Sequence, residues 1–275
     1  MSLLMDDIKY FMKITETLNI TRASEIIGIS QPALSYAIKR LERELGGELF
    51  IRLKSGIRLT KLGEEFKRRC HRLLFEWEQA QKLASPELDS AQGHFTFAIH
   101  PSVALYTVGS YMPKIQSKFP QLDISFIHGL SREMTEKVIS WEADFGIVVN
   151  PVKHPSLVIV RLCHDAVTVF GRKHAPKKLI FDQNLAQSQH ILKLIQSDQR
   201  YHGSITSQNL GVVAKLTDLG LGYGILPSRV AAEYHLDALP GAPSHIDEVC
   251  LVYRPEKHTN AVSKEIIKLI KSTKI

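Results

Sequence analysis

The sequence is short of the features that mark several large classes of protein. It has three cysteines, Cys70, Cys163 and Cys250, far apart and without a CxxC pair. That spacing argues against a disulfide scaffold and against a structural zinc site. It has no apolar run near the ~18 residues of a membrane-spanning helix. The first residues, MSLLMDDIKYF, carry acids where a secretory signal carries bases, and no long apolar segment follows. The chain is therefore expected in the cytosol, with no membrane partner. No GKS/T, HExxH or Ser-His-Asp arrangement occurs at useful spacing, so no catalytic chemistry is indicated. The residues call for no metal and no cofactor.

What is present is a large apolar fraction and an excess of positive charge. The 275 residues are 44% hydrophobic, enough to bury one or two cores. The net charge is +7. Between Lys39 and Arg72, eleven Lys/Arg stand against five Asp/Glu. Such clustering suits a nucleic-acid partner. The C-terminal Lys264, Lys268, Lys271 and Lys274 are also basic, and a solvated surface reads the same way from charge alone.

Periodicity organises the first third of the chain. Ile8, Phe11, Met12, Thr15 and Leu18 form a helical stripe from Asp7 to Leu18. Thr21 is expected to cap a short second helix with Ala23, Ile26 and Ile27 inside, ended by Gly28. Ser30 caps a third helix, with Pro32 in its first turn, running to about Leu45 before Gly46-Gly47. At 100° per residue, Leu34, Ala37, Ile38, Leu41 and Leu45 share one face of it. Pro32, Ser35, Tyr36, Lys39 and Arg43 share the other. Two helices joined by a short Gly-containing turn make a helix-turn-helix, whose second helix enters the DNA major groove. Glu48–Arg52 and Gly56–Thr60 predict a hairpin wing around Leu53-Lys54-Ser55.

Lys61 to Ala84 predicts one long helix. Phe66, Cys70, Leu73, Trp77, Ala80 and Ala84 recur at spacings of four and three, the seam of a coiled coil. A single helix facing its own core is the alternative. Ser85-Pro86 ends it, and Glu87 to Gly93 reads as a linker. From His94 the pattern becomes strand-helix-strand-helix-strand: His94–His100, Ser102–Lys118, Leu122–His128, Ser131–Ser140 and Asp144–Val149. This predicts a mostly parallel α/β sheet. Val158–Leu162, Ala166–Phe170, Tyr223–Leu226 and Glu248–Tyr253 read as further strands, and Val262–Lys271 as a terminal helix. Gly220-Leu-Gly-Tyr-Gly224 precedes an apolar strand, the wrong order for a dinucleotide loop, and predicts a tight helix-to-strand turn.

Phe11, Leu18, Thr21, Ala23, the run Ser30-Gln31-Pro32-Ala33-Leu34-Ser35, Ile38, Leu41-Glu42, Leu45-Gly46, Leu49-Phe50, Arg52, Leu59-Thr60 and Gly63 carry a specific pattern. On them, residues 5–65 resemble the winged helix-turn-helix of LysR-type transcriptional regulators. The remainder is similar more loosely, through Lys118-Phe119-Pro120, the run from Glu142 to Val149, and the run from Leu219 to Pro227. Tyr36 departs from the Arg or Gln common in the family, and Ala23-Ser24 from its paired alanines. The resemblance implies an α/β protein in three parts. These are a winged helix-turn-helix at 1–62, a linker and dimerisation helix at 63–92, and an effector domain at 93–275. The last resembles two-lobed periplasmic solute-binding proteins, with lobe 1 at about 93–152 and 245–275 and lobe 2 at about 153–244. It implies a homodimer or homotetramer on double-stranded operator DNA, with RNA polymerase as a further partner.

The candidate sites follow. Gln31 and Ser35 lead the recognition helix towards base edges, and Ser30, Pro32, Tyr36, Lys39, Arg40 and Arg43 flank them. Thr21, Arg22, Arg52, Lys54 and Arg58 suit phosphate and minor-groove contacts. Any one of them alone is equally a solvated side chain. In α/β sheets, ligands sit past the carboxyl ends of strands. His100, Ser102, His128 and Ser131 fall there, Asn150 starts the crossover, and Thr206 is the candidate from the second lobe. Ser102 and Ser131 also begin helices, where an anion is favoured. A small, anionic metabolite is therefore expected between the lobes, although ordinary helix caps explain the same serines. Two histidines beside an anion would make its affinity rise as pH falls. The competing reading is a catalytic domain carrying a DNA-binding head, as in bifunctional biotin-ligase repressors, and 94–275 shows no constellation for it.

Overall fold

The computed structural model describes residues 5–53, 56–82, 93–195 and 201–273, and the chain divides into two compact units, 1–86 and 87–275. The first unit opens with three helices: α1 (Met5–Thr17), α2 (Ile20–Ile27) and α3 (Gln31–Leu45). The expectation that Thr21 caps α2 is corrected. Leu18 turns the chain in the left-handed region (φ 50), which leaves Asn19 extended, and the Asn19 carboxamide accepts the Arg22 N–H. Thr21 lies inside the helix, exposed. Ser30 caps α3 as expected, with its hydroxyl accepting the Ala33 N–H. Gly28 and Gly46 end α2 and α3 with positive φ (80° and 72°), which a Cβ would oppose.

The wing is β1 (Phe50–Leu53) paired antiparallel with β2 (Gly56–Leu59). The Glu42 carboxylate of α3 accepts the Leu49 and Phe50 N–H groups and so ties the wing to the recognition helix. Helix α4 (Lys61–Lys82) follows, started by Thr60, whose hydroxyl accepts the Gly63 N–H. A Cβ on Gly63 would stand 2.2 Å from the Leu49 carbonyl oxygen, so only glycine lets α4 leave the wing here. Phe11, Ile14, Leu34, Leu41 and Leu49 are fully buried, and Cys70, Phe66 and Leu74 of α4 join them in one core. Each such buried side chain contributes about 1.5–3 kcal/mol. The linker predicted at 87–93 and the helix stop at Ser85-Pro86 lie outside the described residues, apart from Gly93.

The second unit is one mixed sheet flanked by helices. Its first part is β3 (Gly93–Ile99), α5 (Pro101–Lys118), β4 (Leu122–His128), α6 (Ser131–Ile139) and β5 (Phe145–Val149), then the long β6 (Val158–Gly171). Its second is β7 (Leu179–Phe181), α7 (Ala186–Ile195), β8 (Ser204–Thr206), α8 (Leu210–Asp218), β9 (Tyr223–Pro227), α9 (Ser228–Glu233) and β10 (Asp237–Ala238). β11 (His245–Tyr253) and α10 (Ala261–Lys271) return the chain. The strand order is β4-β3-β5-β11-β6-β9-β7-β8, with β10 beside β6.

The two strands expected at 158–162 and 166–170 are one strand, because β11 pairs with β6 from Val158 to Val167 across a bulge at Val249/Cys250. The parallel trio β4-β3-β5 and the parallel trio β9-β7-β8 are joined by this antiparallel pair. The mostly parallel sheet of the sequence reading therefore becomes a mixed one. Phe97, Tyr111, Phe145, Leu251 and Ile266 lie in one core, and Ile180, Val213, Leu226 and Val230 in another. β6 reaches both, with Val158 and Val160 against the first and Phe170 in the second. The tight helix-to-strand turn expected here lies at 219–222, between α8 and β9, with Gly220 at positive φ (72°).

Candidate functional site

The first candidate surface lies on the head. Gln31 and Ser35 sit one turn apart on α3, and the Gln31 amide donates to the Ser35 hydroxyl at 3.1 Å. This bond sets the amide at the leading end of the helix. Tyr36 is 63% exposed, and the Arg43 guanidinium lies 6.0 Å from its ring centroid. Lys39 and Arg43 are exposed on the same face, and Pro32 and Ser30 are exposed at its start. Exposed Thr21 and Arg22 begin α2, while Arg52 and Arg58 stand on the two wing strands, one position out of register. Arg40 departs from this set. Its guanidinium grips the buried Asp7 carboxylate with Nε–Oδ2 2.8 Å and Nη2–Oδ1 2.5 Å, so it clamps α3 to α1. Lys54 lies outside the described residues.

The second candidate is a cavity of about 800 Å³ in the second unit, within the usual range of ligand pockets. It collects the N-terminal ends of α5, α6 and α7, the crossover after β5, and the centres of β6 and β11. His100, Ser102, Ser131 and Asn150 line it. His128 and Thr206 do not: the His128 ring is exposed and turned to the Ile99 carbonyl, and Thr206 is exposed at the end of the outermost strand. His100 Nδ1 and the Ser102 hydroxyl are 2.8 Å apart. Burial holds the His100 pKa below its ordinary value, although Asp182 pulls it up. Of the two histidines only His100 lines the cavity, and its lowered pKa moves any rise of anion affinity on acidification to lower pH. The Ser131 hydroxyl accepts the Val149 N–H and fixes α6 to β5. Asn150 is left-handed (φ 48), a conformation asparagine tolerates. Its amide donates to Asp247 and its oxygen accepts the Glu248 N–H.

Sequence reasoning passed over the acids of this cleft. Asp165 of β6 and Asp247 of β11 are register partners, 4% and 2% exposed, and both line the cavity. Burial pushes the Asp165 carboxyl up to about 6, against the pull of the Arg229 N–H and guanidinium. Burial also raises Asp247, against its bond from Asn150. The Arg229 guanidinium lies 5.8 Å from the Tyr106 ring centroid. The legible signal was an acid within each of two mainly apolar strands, which costs free energy when buried unless it is paired or used. These acids stand among the neighbours that an anionic ligand in the cleft would meet. β6 and β11 also bring Cys163 and Cys250 near one another, but burial raises both thiols, Cys250 to about 11. Their thiolates are disfavoured.

No group of three or more His, Cys, Asp or Glu among the described residues could hold a metal ion. No helix among them is long and apolar enough to cross a membrane. A winged helix-turn-helix with an open polar recognition face, followed by a two-core α/β unit with a ligand-sized cleft, defines a class: DNA-binding regulators that carry their own small-molecule domain. Residues 5–64 match the family described as "Bacterial regulatory helix-turn-helix protein, lysR family", and residues 88–274 match "LysR substrate binding domain". The chain belongs to the LysR family of transcriptional regulators. It is 25% identical over 254 residues to the uncharacterized HTH-type transcriptional regulator YvbU of Bacillus subtilis, covering 87% of this chain and 84% of that one. Its fold is similar to that of a point variant of full-length OxyR from Pseudomonas aeruginosa (TM-score 0.76, 19% identity, 99% of both chains). It is also similar to full-length CbnR complexed with its target DNA (TM-score 0.53, 17% identity, 98% of both chains).

Proposed function

We propose that the head reads operator DNA through α3 and that a small molecule in the cleft of the second unit controls this activity. The observation that carries the reading is the open face of α3, where Gln31, Ser35, Tyr36, Lys39 and Arg43 stand together on the solvent side of the helix. Gln31 can bond adenine through two hydrogen bonds, and Ser35 serves either donor or acceptor. Ser30 and Pro32 shape the helix start that approaches the groove. Thr21, Arg22, Arg52 and Arg58 hold phosphates and set affinity and salt dependence. The CbnR–DNA complex, which shares this fold, supports DNA as the partner. Leu73 and Trp77 are 43% and 44% exposed on α4, beside exposed Ala80, and support pairing of two copies along that helix. Two heads then read two half-sites, and the family supports a dimer of dimers. His100, Ser102, Ser131 and Asn150 belong to the effector cleft. The chain acts in the cytoplasm, as a regulator and not an enzyme, with RNA polymerase as a further partner.

The test is genome-wide footprinting of the wild type beside Ser35→Ala/Lys39→Ala. Discrete inverted-repeat sites that fade in the variant are the expected result. Lost base and phosphate contacts weaken binding by about 1–3 kcal/mol for a good base contact. Binding that ignores sequence in both proteins would overturn the reading.

A further inference from the structure

The cleft presents opposite charge to the two ends of a ligand. On β6 and β11, Asp165 and Asp247 face each other across an antiparallel ladder, a like-charge pairing that sheets normally avoid. Asp247 is partnered by the Asn150 amide at 2.7 Å and by His245 Nε2 at 3.3 Å. Asp165 receives the Arg229 backbone N–H on Oδ1 at 3.3 Å, while its buried Oδ2 has no hydrogen-bond partner. Arg229 brings its positive charge to Asp165, while Asp247 has Asn150 and His245 beside it. The Asp165 Oδ2 is thus a buried acceptor without a hydrogen-bond donor, on a cavity-lining residue that is 4% exposed. The neighbouring wall reverses this sign. Arg132 and Lys153 line it against Glu136. α5 begins there with no side-chain cap, whereas at the start of α6 the Glu133 carboxylate accepts the Leu130 N–H. Uncapped helix N-termini carry unpaired N–H groups and partial positive charge.

We propose that the cleft takes a small zwitterion of the amino-acid class. Its protonated amine seats on Asp165, and its carboxylate meets the N-terminal ends of α5 and α6. The inference rests on the reading of this cleft as the effector site and names the chemistry of that effector. A plain carboxylate would leave the Asp165 Oδ2 buried and unpaired, and a plain amine would leave the helix ends unmet. A zwitterion answers both. A proton shared between the two acids would satisfy Oδ2 without a ligand, but Asp247 turns to Asn150 and His245 and not to Asp165.

The experiment is titration calorimetry on the full-length protein with each of the twenty common amino acids. Any binder is then compared with its deaminated acid and its decarboxylated amine. At least one amino acid is expected to bind, losing tenfold or more in affinity when either charged group is removed. Asp165→Asn is expected to lose tenfold or more for the same amino acid. The chemical series uses wild-type protein and so stands even where the variant folds poorly. A deaminated acid that binds within threefold of its parent, an Asp165→Asn chain with unchanged affinity, or a panel in which no amino acid binds overturns the inference. If a plain carboxylate binds and alters the footprint, only the zwitterion falls. If the wild type gives no sequence-specific footprint, the regulator reading itself falls.

Discussion

Asp7 and Asp165 are both buried carboxylates, and their surroundings give them different work. Asp7 is 2% exposed and gripped on both oxygens by Arg40, so its charge is satisfied within the fold. Asp165 is 4% exposed and keeps one oxygen without a partner. A satisfied pair specifies how α1 meets α3, whereas an unsatisfied acid in a cavity is a cost that a ligand can relieve. Arg40→Ala leaves Asp7 buried and unpaired. It is expected to destabilise the head by about 1–3 kcal/mol, read from the midpoint of urea unfolding. Because Arg40 is turned to Asp7, the same variant keeps the wild-type operator sequence in footprinting. A change in preferred bases with unaltered stability would place Arg40 on DNA instead.

At the scale of elements, α4 has two faces with different surroundings. One buries Cys70 and packs Phe66 and Leu74 into the head core. On the other, Leu73 and Trp77 remain nearly half exposed at a spacing of four, with Ala80 three residues beyond. Exposed apolar side chains at seam spacing are satisfied when a second helix covers them. Leu73→Glu/Trp77→Glu places charge on that seam and spares the head core. The variant is expected to sediment as a smaller species than the wild type while keeping its helical circular dichroism. An unchanged sedimentation coefficient would assign association to another surface. On the recognition helix, the Glu42 ties to Leu49 and Phe50 show how one side chain sets the wing beside α3.

At the scale of the whole molecule, the chain forms two compact units with separate cores. Scanning calorimetry can therefore follow each unit. Asp165 is raised from 3.8 to about 6 in the fold by burial, with Arg229 opposing and Asp247 assisting. The folded state thus binds its proton more tightly than the unfolded state. The stabilising contribution is complete below about pH 4 and is lost as pH rises through about 6. Two pH units correspond to roughly 3 kcal/mol. Asp165→Asn is expected to raise the transition of the second unit at pH 7 and to leave it near wild type at pH 4. Tyr106, Cys163, Asp247 and Arg229 surround the site in both proteins, so the difference isolates this carboxyl. Equal transitions at both pH values would show that Asp165 is compensated within the fold.

The sequence by itself determined the local order. Ser30 and Pro32 before an apolar stripe, Gly28 and Gly46 behind two helices, and alternating apolar runs after His94 each act within a few residues, and periodicity reports such short-range physics directly. The open face of α3 was legible for the same reason. Tertiary structure decided what depends on distant partners. It turned Arg40 from the DNA face to Asp7, 33 positions away in the chain. It merged two predicted strands into β6 because β11 pairs along its length. It set beside the helix-start serines of the cleft two acids, Asp165 and Asp247, which meet only when the return strand β11 lies against β6. His128 and Thr206 fell outside the cleft by the same logic. A strand end marks a height on the sheet, but only the packing of the helices above it decides which of those ends share a cavity.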